Sequence, residues 1–233
     1  MSGSPASAEL GRVAVAIPAY QAERWIADVV AAAFGQLDDV LVVDDGSTDA
    51  TGERARAAGA EVLRVPVNRG KGAALRRAFS EWLGRDFDAV VTLDADGQHL
   101  PSQIPHLLAG AAGADLVLGS RDHLFRGMGG VRRWSNTLSS RAISFGAGLA
   151  LPDVQTGFRL YRRRLIEAVP LREDRFEAES AVVVRAARRG LRVRCVPVEL
   201  GFVDGRHTSH YRPLLDSLRI ARAVVAARFE RGE

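Results

Sequence analysis

The stretch DAVVTLDADGQH, residues 88–99, runs from an apolar segment (Ala89, Val90, Val91, Leu93) straight into two acids one residue apart, Asp94 and Asp96. A continuous apolar run, without polar alternation, reads as a strand buried on both faces. That is the habit of parallel sheets covered by helices. Two like charges so close repel each other and lose hydration if buried. Either these acids hang in solvent at a loop tip, or something positive sits between them.

The same grammar repeats on both sides. RVAVAI (12–17), DVLVVDD (39–45), EVLRV (61–65) and ADLVLGS (114–120) read as further strands. ERWIADVVAAAF (23–34), STDATGERARAAG (47–59), GKGAALRRAFSEWL (70–83) and PSQIPHLLAG (101–110) read as helices. Ser47 or Thr48 is expected to cap the second helix, and Gly59 to end it; Pro101 suits a first helical position. This alternation predicts an α/β fold: one domain, a mostly parallel central sheet, helices on its flanks. In such sheets ligands gather at the carboxyl ends of the strands. Each strand end here carries chemistry: PAY (18–20), DDGSTD (44–49), NRGKG (68–72), DADGQH (94–99) and GSR (119–121).

The second half is less regular. A helix is expected over 133–146, an edge strand at TGFRLYRR (156–163), a helix over 177–190 stopped by Gly190, and a strand over 192–200. The segment from Tyr211 to Arg228 reads as an amphipathic helix. Leu214, Leu218, Ala221, Val225 and Phe229 form its apolar face, with Arg212, Asp216, Arg219 and Arg222 elsewhere. The expected division is a disordered tail (1–11), a catalytic domain (12–205) and a C-terminal amphipathic helix (206–233), packed on the domain or lying at a membrane surface.

Composition narrows the class. A chain of 233 residues, 47% apolar, suits one domain with a real core. Cys195 is the single cysteine, so no internal disulfide forms and a reducing, cytoplasmic setting is expected. The opening MSGSPASAELGR lacks the apolar core of a secretory signal. No stretch approaches the roughly 18 apolar residues of a spanning helix. The net charge is +4, and Lys71 is the only lysine among the cationic side chains. Charge is mixed along the chain, which argues against a nucleic-acid arm. A basic patch facing anionic lipid on the cytoplasmic membrane face stays open.

Absences matter as well. IPAYQAE follows the first strand where a dinucleotide fold would place G-x-G-x-x-G. No nucleophile elbow and no Cys/His zinc cluster is present. What remains is an acid-based site. Asp94 and Asp96, with Gln98 two residues on, offer oxygen ligands for a hard cation, Mg²⁺ or Mn²⁺, shared with substrate phosphates. The bland alternative is a solvated acidic turn. Asp44 and Asp45 end another buried strand, to contact a nucleoside or to cap a helix. Arg121, after the fifth strand, suits a diphosphate.

The combination IPAYQAE, VVDDGSTDAT, NRGKGAALRRAF, LDADGQHLPSQIPHLL and LGSR, in this order, resembles the family-two inverting glycosyltransferases of the GT-A, Rossmann-like fold. Within them it is most similar to the polyprenyl-phosphate sugar transferases, such as the dolichyl-phosphate mannosyltransferases, and LPDVQTGFRLYRR resembles a segment of that branch. The resemblance implies a nucleotide site at Pro18, Ala19, Tyr20, Asp44, Asp45, Lys71, Asp94 and Ala95. It implies a metal held by Asp94, Asp96 and Gln98, and phosphate contacts from Arg121, Arg206 and His210. Asp153 would lie by the acceptor and, with Asp96, serve catalysis.

The implied reaction moves one hexose from a nucleotide diphosphate sugar, GDP-mannose or UDP-glucose, to a polyprenyl phosphate. A phosphate monoester is already largely ionised near neutral pH, its second pKa being about 6, and needs little base. A soluble hydroxyl acceptor is the alternative, and it would need a base from Asp153, Glu177 or Glu179. For the two glutamates a solvated helix start is the simpler expectation. A non-catalytic nucleotide-sugar binding module is the third reading.

Overall fold

The computed structural model describes residues 10–121, 140, 143–201 and 213–230. The strands are β1 (Val13–Ala19), β2 (Val40–Asp45), β3 (Glu61–Val65), β4 (Ala89–Thr92), β5 (Leu116–Ser120), β6 (Arg159–Arg162) and β7 (Val193–Pro197). The helices are α1 (Ile26–Phe34), α2 (Thr51–Ala57), α3 (Lys71–Leu83), α4 (Ile104–Gly110, after a 3-10 turn at Pro101–Gln103), α5 (Arg163–Ala168), α6 (Glu177–Arg188) and α7 (Pro213–Phe229). Residues 143–147 are also helical; the rest of the helix expected over 133–146 lies outside the described residues, Ser140 excepted.

The sheet runs β3-β2-β1-β4-β6-β5-β7. β1, β2, β3 and β4 are mutually parallel, β7 is parallel to β5, and β6 is antiparallel to both its neighbours. The chain winds outward from β1 to β3, then returns to β4 on the other side of β1. That reversal opens a crevice at the carboxyl ends of β1 and β4, where doubly wound sheets bind ligands. The apolar runs are buried as expected: Val15, Ile17, Leu41, Val42, Val43 and Val91 are wholly covered. One core cluster lies under α3 and α6 and takes in α7; the other lies under α1 and α4. Leu10 is buried in the second cluster.

Three expectations are corrected. The segment at 156–163 is not an edge strand: β6 sits between β4 and β5, pairing Val91 with Leu160 and Val117 with Leu160. Its Arg159 is buried because its guanidinium donates to the carbonyls of Thr156 (2.6 Å), Glu179 (2.6 Å) and Val154 (2.8 Å). Second, neither Ser47 nor Thr48 caps α2, whose N-cap is Ala50. Both hydroxyls are drawn across to the loop after β1. Gly59 does end the helix region with φ near +100°. Third, the C-terminal helix turns its other face inward. Asp216, Ile220, Ala223, Val224 and Ala227 are buried, whereas Leu218, Val225 and Phe229 are exposed. The buried face joins the core cluster shared with α6.

Candidate active site

The nucleoside side of the crevice is made by two loops stitched together. Gln21, in the left-handed region at φ 52°, donates its backbone N–H to Ser47 Oγ (3.0 Å). Its side-chain amide donates to Thr48 Oγ1 (2.8 Å) and accepts the Asp49 N–H (3.2 Å). Ala22 N–H donates to Thr51 Oγ1 (2.8 Å), and Glu23 Oε2 accepts the Ala50 N–H (3.1 Å). The polar run GSTDAT therefore anchors the PAYQAE loop. Buried polar groups need partners, and here the partners lie across the crevice edge.

Asp44 and Asp45 are both buried and act differently. Asp44 accepts the Ser47 N–H (2.9 Å) and lies 3.8 Å from Arg64. Asp45 accepts backbone N–H groups of Arg69 (3.0 Å) and Gly70 (2.6 Å). It thereby fixes the start of α3 and delivers Lys71 to the centre of the crevice.

Lys71 answers half of the question posed by the acid pair. Its Nζ lies 2.5 Å from Asp94 Oδ1 and 2.9 Å from Glu179 Oε2. Burial works against both ions, but the Lys71 ammonium, then neighbouring His99, outweigh it and hold the Asp94 carboxyl at about 2. Lys71 is in turn held well above the ordinary lysine range by Asp94 and Glu179 against the cost of its burial. Asp96 behaves oppositely: burial first, then the Asp94 charge, push its carboxyl up. It has no ion-pair partner among the described residues, and the Lys71 charge only partly offsets these two effects. Its Oδ1 accepts the Gln98 N–H (3.0 Å), which closes the turn. His99, stacked on Phe158 (5.5 Å), is driven down to about 4 chiefly by burial and is neutral at pH 7. Its Nδ1 accepts the Asp94 N–H (3.2 Å), which puts its proton on Nε2.

On the far side, Arg121 and Asp153 pair with each other. Arg121 Nε donates to Asp153 Oδ2 (2.8 Å) and Nη2 to the Gln155 carbonyl (2.5 Å). Asp153 is wholly buried. Glu179 is buried too, which corrects the solvated helix start expected of it. Glu177 keeps one buried oxygen without a hydrogen-bond partner.

The crevice holds a cavity of ≈ 850 Å³ lined by Pro18, Ala19, Tyr20, Asp45, Lys71, Asp94, Ala95 and Asp96. Asp44, Gln98, Arg121 and Asp153 are not part of that lining; Arg206 and His210 lie outside the described residues. The sequence reading missed Trp25, Asn68, Arg175, Phe176, Asp216 and Arg219, which also line it. The last two come from α7. Among the described residues no three His, Cys, Asp or Glu side chains are arranged to hold a metal ion alone. The donor set nonetheless fits a hard cation, because Asp96 lines the cavity with a carboxylate that has no ion-pair partner among the described residues. The remaining ligands would come from substrate phosphates, as Mg²⁺ prefers.

Comparison with known proteins agrees with this geometry. The model of Glycosyl transferase family 2 matches residues 14–169. An undecaprenyl-phosphate mannosyltransferase of Micrococcus luteus is 37% identical over 69% of this chain and 70% of its own. An undecaprenyl-phosphate 4-deoxy-4-formamido-L-arabinose transferase of Pseudomonas paraeruginosa is 31% identical over 84% of this chain, which spans only 60% of that protein. Among solved structures, glucosyl-3-phosphoglycerate synthase from Mycobacterium tuberculosis in complex with phosphoglyceric acid is 26% identical, with a TM-score of 0.71 over 97% of this chain and 81% of that one. The same synthase with Mg²⁺ and UDP gives 26% and 0.67, over 95% and 79%.

Proposed function

We propose a specific reaction for this chain, which belongs to glycosyl transferase family 2 and is a glycosyltransferase of the GT-A fold: transfer of one hexose from a nucleotide diphosphate sugar to a polyprenyl phosphate. Pro18, Ala19 and Tyr20 would receive the nucleoside, with Asp45 rather than Asp44 beneath it, since only Asp45 lines the cavity. Asp96, with Asp94 beside it, would hold Mg²⁺ or Mn²⁺ against the diphosphate. Such an ion, when bound, neutralises the charge that builds on the leaving group. An acceptor phosphate oxygen attacks the anomeric carbon from the face opposite the diphosphate. The new carbon–oxygen bond forms as the bond to the nucleoside diphosphate breaks.

The observation that carries the choice of acceptor is the commitment of the candidate bases. Asp153 is ion-paired with Arg121 and Glu179 with Lys71, both out of solvent, and the third candidate, Glu177, whose one buried oxygen has no partner, does not line the cavity. A hydroxyl acceptor needs a carboxylate free to take its proton. A phosphate arrives ionised. The names of the similar bacterial transferases support the same acceptor class.

Such an acceptor lies in a bilayer. Among the described residues no helix is long and apolar enough to cross one. Two neighbouring segments do carry exposed large apolar side chains, however. Leu218, Val225 and Phe229 stand out from α7, and Phe145 and Leu149 from the segment whose Gly146 abuts Val224. Exposed Arg222 and Arg228 interleave with them. We place this face against anionic lipid on the cytoplasmic side. The test is transfer of labelled sugar, from a panel of nucleotide sugars with Mn²⁺, to undecaprenyl phosphate in phosphatidylglycerol vesicles. Organic-extractable label is expected, with sedimentation on vesicles at low salt and release at high salt. Label only in a water-soluble hydroxyl compound overturns the reading.

A further inference from the structure

We propose that Lys71 and Glu179 are a positioning pair for Asp94: Glu179 fixes the Lys71 ammonium, which fixes the Asp94 carboxylate, so that Asp96 faces the donor as the acid with no ion-pair partner among the described residues. The inference rests on the reading that a divalent cation joins the donor diphosphate at this acid pair.

Lys71 is out of place by ordinary rules. It is the first residue of α3, where the helix dipole disfavours a cation, and its side chain is only 12% exposed. It is also the only lysine in a chain whose other 31 Lys/Arg positions are arginine. A compact ammonium can sit between two carboxylates where a planar guanidinium would need more room. That room is limited by Gly157, where a Cβ would fall on the Asp94 carboxylate and the Lys71 ammonium. Gly157 is itself held by its carbonyl, which accepts the Thr92 hydroxyl (2.8 Å).

Glu179 is fixed from elsewhere. The start of α3 approaches α6 so closely that a Cβ on Gly72 would meet Ala178 Cβ and the Glu173 carbonyl. The Glu179 carboxylate lies 3.6 Å from Arg159 Nε, and its carbonyl accepts from Arg159 Nη1. A rigid chain of contacts therefore runs from β6 through α6 to Lys71 and on to Asp94.

The pair makes signed predictions about metal binding. Lys71→Met removes a positive charge near the site. Mn²⁺ affinity for the complex with UDP or GDP should rise about tenfold, while turnover at saturating donor and Mn²⁺ falls. Glu179→Gln leaves Lys71 wholly to Asp94, so Mn²⁺ affinity should fall, by roughly the same factor. Calorimetric titration of Mn²⁺ into each protein with saturating nucleoside diphosphate reads both, and needs no acceptor. Should Lys71→Met fold poorly, Glu179→Gln, which keeps the Lys71–Asp94 bond, carries the test. Opposite shifts support the pair. Wild-type binding with both variants unchanged, or shifted in the same direction, overturns the pair alone. Absence of Mn²⁺ binding by the wild type overturns the metal reading and the pair with it.

Discussion

Arg121→Met should damage the fold before it damages phosphate binding. Asp153 is completely buried, and Arg121 supplies its charge partner through Nε at 2.8 Å. The same guanidinium holds the Gln155 carbonyl at 2.5 Å. With a methionine there, the partners left to the carboxylate among the described residues are the backbone N–H groups of residue 121 (3.1 Å) and Gln155 (3.1 Å). Removing one partner of a buried ion pair costs about 3–5 kcal/mol. In a domain of this size each kcal/mol moves Tm by about 2–4 °C, so a fall of roughly 6–20 °C is expected. Arg121→Lys keeps the charge but cannot serve Asp153 and Gln155 together. It should cost about 1–3 kcal/mol and still reduce transfer clearly. Adding Asp153→Asn to Arg121→Met should restore part of the loss, because the orphaned charge is gone. Urea unfolding followed by circular dichroism measures all three variants, with nucleoside diphosphate binding measured alongside. If Arg121→Met unfolds within about 1 kcal/mol of wild type yet loses more than about tenfold in diphosphate affinity, Arg121 is a phosphate ligand and its bond to Asp153 is incidental.

Asp96→Asn should abolish transfer while leaving the apo fold as stable as wild type or up to about 1 kcal/mol more so, since burial and Asp94 both oppose its charge. Thermal shift with and without Mn²⁺ and UDP checks it, and a clear fall in apo Tm would count against the assignment. Gly157→Ala should cost about 1–3 kcal/mol through overpacking. Its larger effect should be on transfer, because the new methyl would displace the Asp94 carboxylate and the Lys71 ammonium from their pairing; unimpaired transfer would show that their placement is not critical. The Arg185 guanidinium pulls the Glu230 carboxyl below its usual range, bonding it at 2.8 and 2.9 Å. A depressed carboxyl stabilises above its unfolded pKa and loses that stability as pH falls through the folded value. Glu230→Gln should therefore lower Tm at pH 7, by an amount that shrinks toward zero below about pH 4; a constant difference across that range would place the effect elsewhere.

The parallel strands could be read from sequence because a strand covered on both faces is apolar throughout, as Val40–Val43 and Ala89–Val91 are. β6 was legible as a strand but not as an inner one, because Arg159 and Arg162 look solvent-seeking, and no pattern announces that three carbonyls will receive one guanidinium. The last helix carried two apolar faces of equal period, Leu218-Ala221-Val225-Phe229 and Ile220-Ala223-Val224-Ala227. Periodicity cannot choose between them; the choice is made by the packing of α7 on α6, in which Ile220, Ala223, Val224 and Ala227 are buried. The acid site was readable for the same reason as the strands, since sheet topology gathers strand ends. Which acid is balanced was not readable, because Lys71 and Glu179 come from helices distant in sequence. The two ways of tolerating Asp94 and Asp96, solvent or a positive group, turn out to be divided between them. Asp94 has its cation built in. Asp96 faces the cavity with no ion-pair partner among the described residues, and an acid whose ionisation burial and a like charge both oppose is one that a cation brought by a ligand would stabilise.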